Sequence, residues 1–282
     1  MSGRTRILLD GLAFGEGPRW RDGRLYFSDM HAQQVIAVDL EGRSEVVAKV
    51  EQDPSGLGWL PDGRMLIVSM RDRRLLRVEP DGGQTEVANL SALADFYCND
   101  MVVDARGRAY VGNFGWDLHG GGERKLANLI LVTPDGDARV AAADLDFPNG
   151  SVITPDGRTL IIGETMAARL TAFDVADDGA LSNRRPFAQL EGALPDGICL
   201  DAEGGIWVAS PISKEVLRVV EGGEVTARIP LERQAFACML GGPDRRQLFV
   251  CTAGSSDPAE CIANRDARIE VVEVEVPGAG LP

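Results

Sequence analysis

The sequence is poor in histidine, with only His31 and His119. It has no uninterrupted apolar run approaching the roughly 18 residues that a membrane-spanning helix needs. The segment Met1–Asp10 lacks the apolar core of a secretory signal peptide. These absences exclude a helical membrane protein, and we expect a cytoplasmic protein that has no membrane partner.

Cysteine is also scarce, and its spacing does not match a metal site. The five cysteines are an odd number without paired Cys-x-x-Cys motifs. Cys199 and Cys238 fall inside apolar strand-like runs and are expected to be small buried hydrophobic residues. Cys251 and Cys261 could approach each other across a loop, but without a secretory signal we expect all five thiols to be reduced. The shortage of histidine bases disfavours a nucleophilic cysteine.

Negative charge dominates the chain. It has 29 basic and 43 acidic residues, a formal net charge of −14. This balance disfavours nucleic acid and anionic membranes as partners. It favours solubility or cation binding, although an ordinary solvated surface explains it equally well.

A turn rich in Asp and Gly precedes a short apolar strand six times, at intervals of about 40 to 52 residues. The first turn, Asp22–Arg24, precedes Leu25–Phe27. The later turns are Asp62–Arg64, Asp104–Arg108, Asp156–Arg158, Asp201–Gly205 and Asp244–Gln247. Self-similarity with this period is typical of repeat architectures.

Each repeat contains short strands joined by tight turns, and no segment shows sustained helical periodicity. Six units of four antiparallel strands predict an all-β fold, a six-bladed β-propeller, as a single domain over residues 1–282. The last unit lacks an obvious fourth strand, and the apolar segment Thr5–Leu9 can supply it and close the ring. Two packed sandwiches are the alternative, but they do not explain the regular phase of the repeats.

The turns also locate the start of each innermost strand. In a propeller the turns between first and second strands lie on one face, so the first strands begin at the opposite face, around the mouth of the central channel. Counting back by about 15–20 Å of strand from each turn reaches one position per blade. These positions are Glu16, Ser55, Asn99, Asn149, Asp196 and a position near Phe236.

Four of these positions carry side-chain oxygens: Glu16, Asn99, Asn149 and Asp196. Carboxylates and amide carbonyls around a channel suit a hard divalent cation. We expect one such cation, Ca²⁺ by preference, with Zn²⁺, Mn²⁺ or Mg²⁺ as alternatives; the absence of histidine argues against a structural zinc site. Asn149-Gly150 and Asp196-Gly197 could instead be ordinary turn dipeptides, but the shared phase of the four positions favours a site.

Two long loops are predicted on the same face as the channel mouth. They span residues 113–128 in blade 3 and 252–266 in blade 6. Long loops on a rigid scaffold commonly carry binding residues. The glycine-rich stretch around His119 could hinge a lid or form a disordered solvent loop. His31, on a shorter loop, is expected to be a surface residue rather than a general base.

Several motifs resemble the SMP-30/gluconolactonase/LRE-like family of regucalcin-like lactonases. The resemblance lies in Gly15–Trp20 followed by Leu25–Asp29, in Asn99-Asp100, in Asn149–Ser151, and most strongly in Pro195–Gly204. It covers nearly the whole chain. The resemblance implies a six-bladed propeller that holds a divalent metal at the top of its channel.

The resemblance also implies roles for single residues. Glu16, Asn149 and Asp196 match metal ligands, Asp196 matches the general base, and Asn99 matches a residue that contacts substrate near the metal. Two positions depart from the family's sugar-lactone hydrolases: Tyr97 stands where Arg is common, and Trp116 or Asp117 stands where an acidic residue contacts substrate. These changes suggest a more apolar pocket. The residues expected to contact substrate are Tyr97, Asn99, Trp116, Asp117 and His119.

The expected activity is hydrolysis of a small-molecule lactone or ester by a metal-dependent enzyme. A metal-dependent esterase or phosphotriesterase is the alternative within catalysis, and a Ca²⁺-binding propeller without turnover is the alternative outside it. We expect no nucleic-acid partner, and a monomer or a weak homo-oligomer.

Overall fold

The structure, a computed structural model, describes residues 5–280 as six four-stranded antiparallel sheets. The remaining residues of the predicted domain, 1–4 and 281–282, lie outside the described residues. The six-bladed β-propeller predicted from the repeats is confirmed. Among residues 5–280, no helix is long and apolar enough to span a membrane.

The strands follow the same order in every blade, from the channel outward. The innermost strands are β2 (Gly15–Arg21), β6 (Pro54–Trp59), β10 (Cys98–Val103), β14 (Pro148–Ile153), β18 (Ile198–Leu200) and β22 (Gln234–Gly241). The second strands are β3 (Arg24–Asp29), β7 (Met65–Ser69), β11 (Ala109–Asn113), β15 (Thr159–Glu164), β19 (Ile206–Ser210) and β23 (Gln247–Ala253). The third strands are β4 (Gln34–Val38), β8 (Arg74–Val78), β12 (Ala127–Val132), β16 (Arg169–Val175), β20 (Glu215–Val219) and β24 (Ala267–Glu273). The outer strands are β5 (Ser44–Lys49), β9 (Gln84–Asn89), β13 (Ala138–Leu145), β17 (Leu181–Gln189), β21 (Val225–Pro230) and β1 (Arg6–Leu12).

The N-terminal strand closes the ring, as predicted. β1 pairs with β24, with Arg6 opposite Val271 and Leu12 opposite Ala267, and completes the sixth blade in the order β1-β24-β23-β22. Closure joins the N-terminal strand to the last strand of the chain in one sheet, so the first and last blades are held together by backbone hydrogen bonds.

In the turns after the first, the aspartate has a local structural role. Asp104 Oδ1 accepts hydrogen bonds from the backbone N–H groups of Arg106 and Arg108, both at 2.9 Å. Asp62, Asp156 and Asp201 accept in the same way from the backbone N–H two residues later. An aspartate that satisfies the donors of its own turn explains why this residue recurs at the start of the turns.

Apolar side chains fill the spaces between blades. One buried cluster joins blades 2 and 3 through Val68 and Met101, and another joins blades 4 and 5 through Ile161 and Val208. All five cysteines are buried and free, and Cys199 and Cys238 lie in strands, as expected of small hydrophobic residues. The blades therefore form a rigid frame that fixes the starts of the innermost strands.

One helix was not predicted from periodicity. α1 (Pro258–Asn264) lies in the long loop of blade 6. Asp257 caps it by accepting a hydrogen bond from the N–H of Glu260 at 3.0 Å, with Pro258 in the first turn. This start signal is visible in the sequence, but the helix is too short to show an apolar period.

Candidate active site at the mouth of the channel

The predicted oxygen-bearing residues do lie at the starts of the innermost strands. Glu16, Asn99 and Asn149 are each the second residue of their strand and are 7%, 6% and 4% exposed. Asp196 departs slightly from the prediction because it precedes β18 by two residues. Its backbone N–H donates to the carbonyl of Ala209, 3.0 Å away, and the residue is half-buried.

The glycine after each of two such residues is needed for close packing between blades. A Cβ on Gly150 would lie 2.5 Å from the backbone nitrogen of Ile198, and one on Gly197 would lie 2.5 Å from the Cβ of Ala237. The N–H of Gly197 bonds to the carbonyl of Phe236 at 2.8 Å. Asn149-Gly150 and Asp196-Gly197 are therefore not turn dipeptides, and that alternative is wrong.

Three carboxylates interact electrostatically at the mouth. Burial raises the pKa of Glu16 well above its usual range, and the negative charges of Asp196 and Asp100 raise it further. Burial also raises the pKa of Asp196, to about 8, with a contribution from Asp100 and an opposing hydrogen bond from Asn149. A cation bound among these carboxylates would reduce their mutual repulsion, so the site favours cation binding.

Arg19 supplies one positive charge to this group. Its guanidinium lies 2.7 Å from Oδ1 of Asp100, and both side chains are almost fully buried. Burial raises the pKa of Asp100, while Arg19 opposes that rise. Glu16, Asp100 and Asp196 carry three negative charges when ionised, so with Arg19 the group has a formal charge of −2.

The amide of Asn149 is held in a defined orientation. Its Nδ2 donates to Oγ1 of Thr165 at 3.2 Å, and that hydroxyl donates to the carbonyl of Pro195 at 2.7 Å. The nitrogen side of the amide is thus engaged within the protein. Thr165 lies in the short 3-10 turn Thr165–Ala167 after β15 and was not identified from the sequence.

The donor set fits a hard divalent cation. Two carboxylates and one amide converge where burial raises carboxylate pKa values, and the net formal charge equals that of one divalent ion with opposite sign. Among residues 5–280, no three His, Cys, Asp or Glu side chains form a tight metal-binding group. That result is compatible with a set in which an amide oxygen takes one ligand position.

An apolar cover lies at the same end of the channel. We use this name for a set of aromatic residues that belong to or pack against one cluster: Phe14, Tyr97, Phe114, Trp116, Phe147 and Phe236. Phe147 contacts Phe114 with ring centroids 4.7 Å apart and Trp116 with centroids 5.5 Å apart. The rings of Tyr97 and Phe114 are arranged edge to face, with their centroids 6.3 Å apart.

Part of this cover follows a simple spacing in the sequence. Phe14, Tyr97 and Phe147 each precede an oxygen-bearing residue, Glu16, Asn99 or Asn149, by two positions. This repeated spacing was available in the sequence but was not recognised.

Phe147 adopts a backbone conformation that is rare for a bulky residue. It is 5% exposed and has a φ of 60°, in the left-handed region. Such strain costs roughly 1–3 kcal/mol and clusters at functional sites.

The structure separates the predicted substrate residues into two groups. Tyr97 and Trp116 belong to the cover. Asp117 and His119 are exposed on the blade 3 loop, and Asp117 accepts a hydrogen bond from the N–H of Gly120 at 2.7 Å. That carboxylate stabilises its own turn and is not brought into the buried carboxylate group.

His31 is not the surface residue that was expected. Its side chain is 5% exposed, its Nδ1 lies 3.4 Å from Oδ2 of Asp53, and its ring centroid lies 5.3 Å from that of Phe14. Asp53 in turn pairs with Arg71 at 2.7 Å. The loop position of His31 gave no sign of these contacts because they come from other segments.

The protein is a six-bladed β-propeller with carboxylate and amide oxygens at the mouth of its channel. Comparison with known families identifies the group of propeller proteins to which it is related. A family model described as the SMP-30/Gluconolactonase/LRE-like region matches residues 14–254. The chain belongs to this family.

Individual relatives are moderately similar. Pentonolactonase XacC of Haloferax volcanii is 28% identical over 257 residues, covering 89% of this chain and 85% of its own length. The 6-deoxy-6-sulfogluconolactonase of Pseudomonas putida is 27% identical over 276 residues, covering 95% and 94%. A crystal structure of regucalcin from Agrobacterium tumefaciens, described as a calcium-binding protein, superposes with a TM-score of 0.83 at 24% identity and covers 99% of this chain and 96% of that one.

Proposed function

We propose that this chain is a divalent-metal-dependent hydrolase of lactones, with its active site at the mouth of the channel. The observation that carries the proposal is a group of three carboxylates, buried Glu16 and Asp100 and half-buried Asp196, that repel one another and are only partly balanced by the guanidinium of Arg19. The lactonase names of two relatives support the same reaction class.

Glu16, Asn149 and Asp196 would hold the cation. Their donors are carboxylate and amide oxygens, which Ca²⁺ accepts readily and which Mg²⁺, Mn²⁺ and Zn²⁺ also use. When bound, a divalent cation supplies polarisation of the lactone carbonyl and stabilises the negative charge that develops on its oxygen. Thr165 orients the amide of Asn149 for this role.

Asp196 would act as the general base. It is the most accessible of the predicted ligands, so one of its oxygens can face an attacking water molecule. Removal of a proton from that water makes its oxygen a better nucleophile towards the ester carbon; the ring C–O bond then breaks, and the leaving ring oxygen takes up the proton that Asp196 removed, which gives the open hydroxy acid. Asn99, held by a hydrogen bond from Ser55 Oγ to its Oδ1 at 3.3 Å, keeps its amide N–H groups available for a substrate oxygen.

The expected substrate is a small molecule, and the net charge of −14 disfavours polyanionic partners. The cytoplasmic location and the monomeric or weakly oligomeric state stay predictions.

A panel of lactones and aryl esters tests the reaction class. Protein stripped with a chelator should be inactive, and Ca²⁺, Mg²⁺, Mn²⁺ or Zn²⁺ added singly should restore lactone hydrolysis. Asp196→Asn should lower kcat by about 10²–10⁴-fold, whereas Asp156→Asn, at an exposed turn on the opposite face of the propeller, serves as the matched control and should stay within a few-fold of wild type. Retained activity in Asp196→Asn would refute the assignment.

The panel also separates the alternatives. Turnover of aryl esters without turnover of lactones would indicate an esterase on the same site. Tight metal binding without turnover of either class would indicate a binding protein.

A further inference from the structure

The apolar cover has a consequence for the kind of lactone that the site accepts. Three of its rings, Phe14, Tyr97 and Phe147, lie two positions before residues that carry the site's oxygens. Phe14 also contacts Phe236 of the neighbouring blade 6, with ring centroids 4.6 Å apart and the rings at 61°. A substrate whose carbonyl reaches Asn99 and Asp196 must therefore place the rest of its body against aromatic surface.

Two arginines near the cover, Arg124 and Arg71, are engaged in ion pairs. Arg124, on the blade 3 loop, pairs with Asp146, with Nε 3.0 Å from Oδ1, and donates to the carbonyl of Met166 at 3.1 Å. Arg71 pairs with Asp53, which also lies next to His31. Because these two guanidinium groups are already paired, they are less available to bind substrate hydroxyl groups than the neighbouring apolar rings are to contact apolar substituents.

Such a surface discriminates between apolar and polyhydroxylated substituents. Each methylene buried against it improves binding by about fourfold. Each hydroxyl buried without a hydrogen-bond partner weakens binding by roughly fivefold or more. Both effects make an alkyl lactone bind more tightly than a sugar lactone.

We propose that the substrate is a lactone whose ring carries an apolar substituent, aliphatic or aromatic, rather than a polyhydroxylated sugar lactone. This inference rests on the proposed lactone hydrolysis. Trp116, Phe147 and Tyr97 determine the specificity by contacting the substituent, while the oxygens below them act on the ester.

The test compares three δ-lactones that share the ring and differ in its substituents: unsubstituted δ-valerolactone, δ-decalactone with a pentyl chain, and glucono-δ-lactone with hydroxyl groups. We expect kcat/KM for δ-decalactone to exceed that for δ-valerolactone by at least tenfold, and glucono-δ-lactone to be the poorest substrate. Equal values for the three, or a preference for glucono-δ-lactone, would overturn the inference.

Variants test whether the cover is responsible. Trp116→Ala and Phe147→Ala should each lower the ratio of kcat/KM for δ-decalactone over δ-valerolactone by at least fivefold. Because buried substitutions can impair folding, Tyr97→Ser at a half-buried position provides a second variant, and Tyr97→Phe should keep the ratio. Trp59 is the last residue of the inner strand β6, at the end away from the mouth, and its ring packs against the guanidinium of Arg21. Trp59→Ala is therefore the matched control and should leave the ratio unchanged. An unchanged ratio in all three cover variants would contradict the proposal.

Binding measurements separate failure of this inference from failure of the proposed reaction. The lactam analogues of δ-decalactone and glucono-δ-lactone are not expected to be hydrolysed and can be titrated by calorimetry. If no lactone is turned over, the proposed reaction fails, but at least tenfold tighter binding of the alkyl lactam still supports an apolar site. Equal or weaker binding of the alkyl lactam would overturn it.

Discussion

The guanidinium of Arg19 and the carboxylate of Asp100 form a buried ion pair, 2.7 Å apart, in the wall of the channel. Arg19 also donates to the carbonyl of Leu57 at 3.0 Å and to that of Pro18 at 2.8 Å. Asp100 accepts a second hydrogen bond, from the N–H of Met101, at 2.8 Å. The pair thus joins the first three blades and sets the charge of the group to which Glu16 and Asp196 belong.

Removal of Arg19 should destabilise the protein strongly. In Arg19→Met the carboxylate of Asp100 stays buried without its partner, which typically costs about 3–5 kcal/mol. The double variant Arg19→Met/Asp100→Asn removes both charges and should recover at least about 1 kcal/mol of the loss. Chemical denaturation measures both values. A single variant as stable as the wild type would show that the pair contributes little.

Thr165 should influence cation binding without being a ligand. Thr165→Val removes the hydroxyl that accepts from Asn149 and donates to Pro195, so the amide loses its fixed orientation. Substitution of such supporting groups commonly costs about 10–100-fold in metal affinity. Calorimetric titration with Ca²⁺ should give that loss, whereas Thr154→Val, in a turn at the opposite end of the same blade, should bind as the wild type does.

Gly197 should be sensitive to a single added methyl group. In Gly197→Ala the new Cβ would lie 2.5 Å from the Cβ of Ala237, so the backbone that carries Asp196 must shift. Such overpacking typically costs about 1–3 kcal/mol, and we expect cation affinity to fall as well. Ser151→Ala is a suitable control because Oγ of Ser151 is buried without a partner, so its loss should not destabilise the protein.

The metal-free protein should lose stability as the pH rises through neutrality. Glu16, Asp100 and Asp196 have folded-state pKa values above those of the unfolded chain, about 8 for Asp196 against roughly 4. Between these values the folded state binds more protons than the unfolded state, so their contribution to stability falls with rising pH and is retained below about pH 4.

Thermal unfolding of chelator-treated protein at pH 5 and pH 8 measures this effect. Other carboxylates titrate in the same range, so the informative quantity is the difference between wild type and Asp196→Asn. We expect Asp196→Asn to gain stability relative to wild type at pH 8, on the order of 5 °C, and to gain less at pH 5. Added Ca²⁺ should stabilise only the wild type. The same difference at both pH values would contradict the raised pKa of Asp196.

Much of the frame could be predicted because it depends on local signals. Aspartates such as Asp62 and Asp104 accept hydrogen bonds from backbone N–H groups of their own turns. Because this role is local, the same turn pattern appears in successive blades and predicts the repeat fold. Glu16, Asn99 and Asn149 could then be located by counting along strands of known rise.

The remaining parts of the site depend on contacts between distant segments. Arg19 and Asp100 are 81 positions apart, and their pairing follows from the packing of blades 1 and 3. Phe147 and Trp116 meet because two loops converge, and the buried His31 owes its environment to Phe14 and Asp53. No local sequence pattern predicts such contacts. The aromatic residues two positions before Glu16, Asn99 and Asn149 do, however, indicate that aromatic side chains lie near the site.

The central claim is that Glu16, Asn149 and Asp196 together bind one divalent cation. Crystals grown with Mn²⁺ and measured for anomalous scattering test it most directly, since the position of the ion is observed without reference to activity. The account predicts one strong peak at the mouth of the channel, in contact with oxygens of all three side chains, and its loss in Glu16→Gln crystals. A peak elsewhere, or none at the mouth in wild-type crystals, would contradict it.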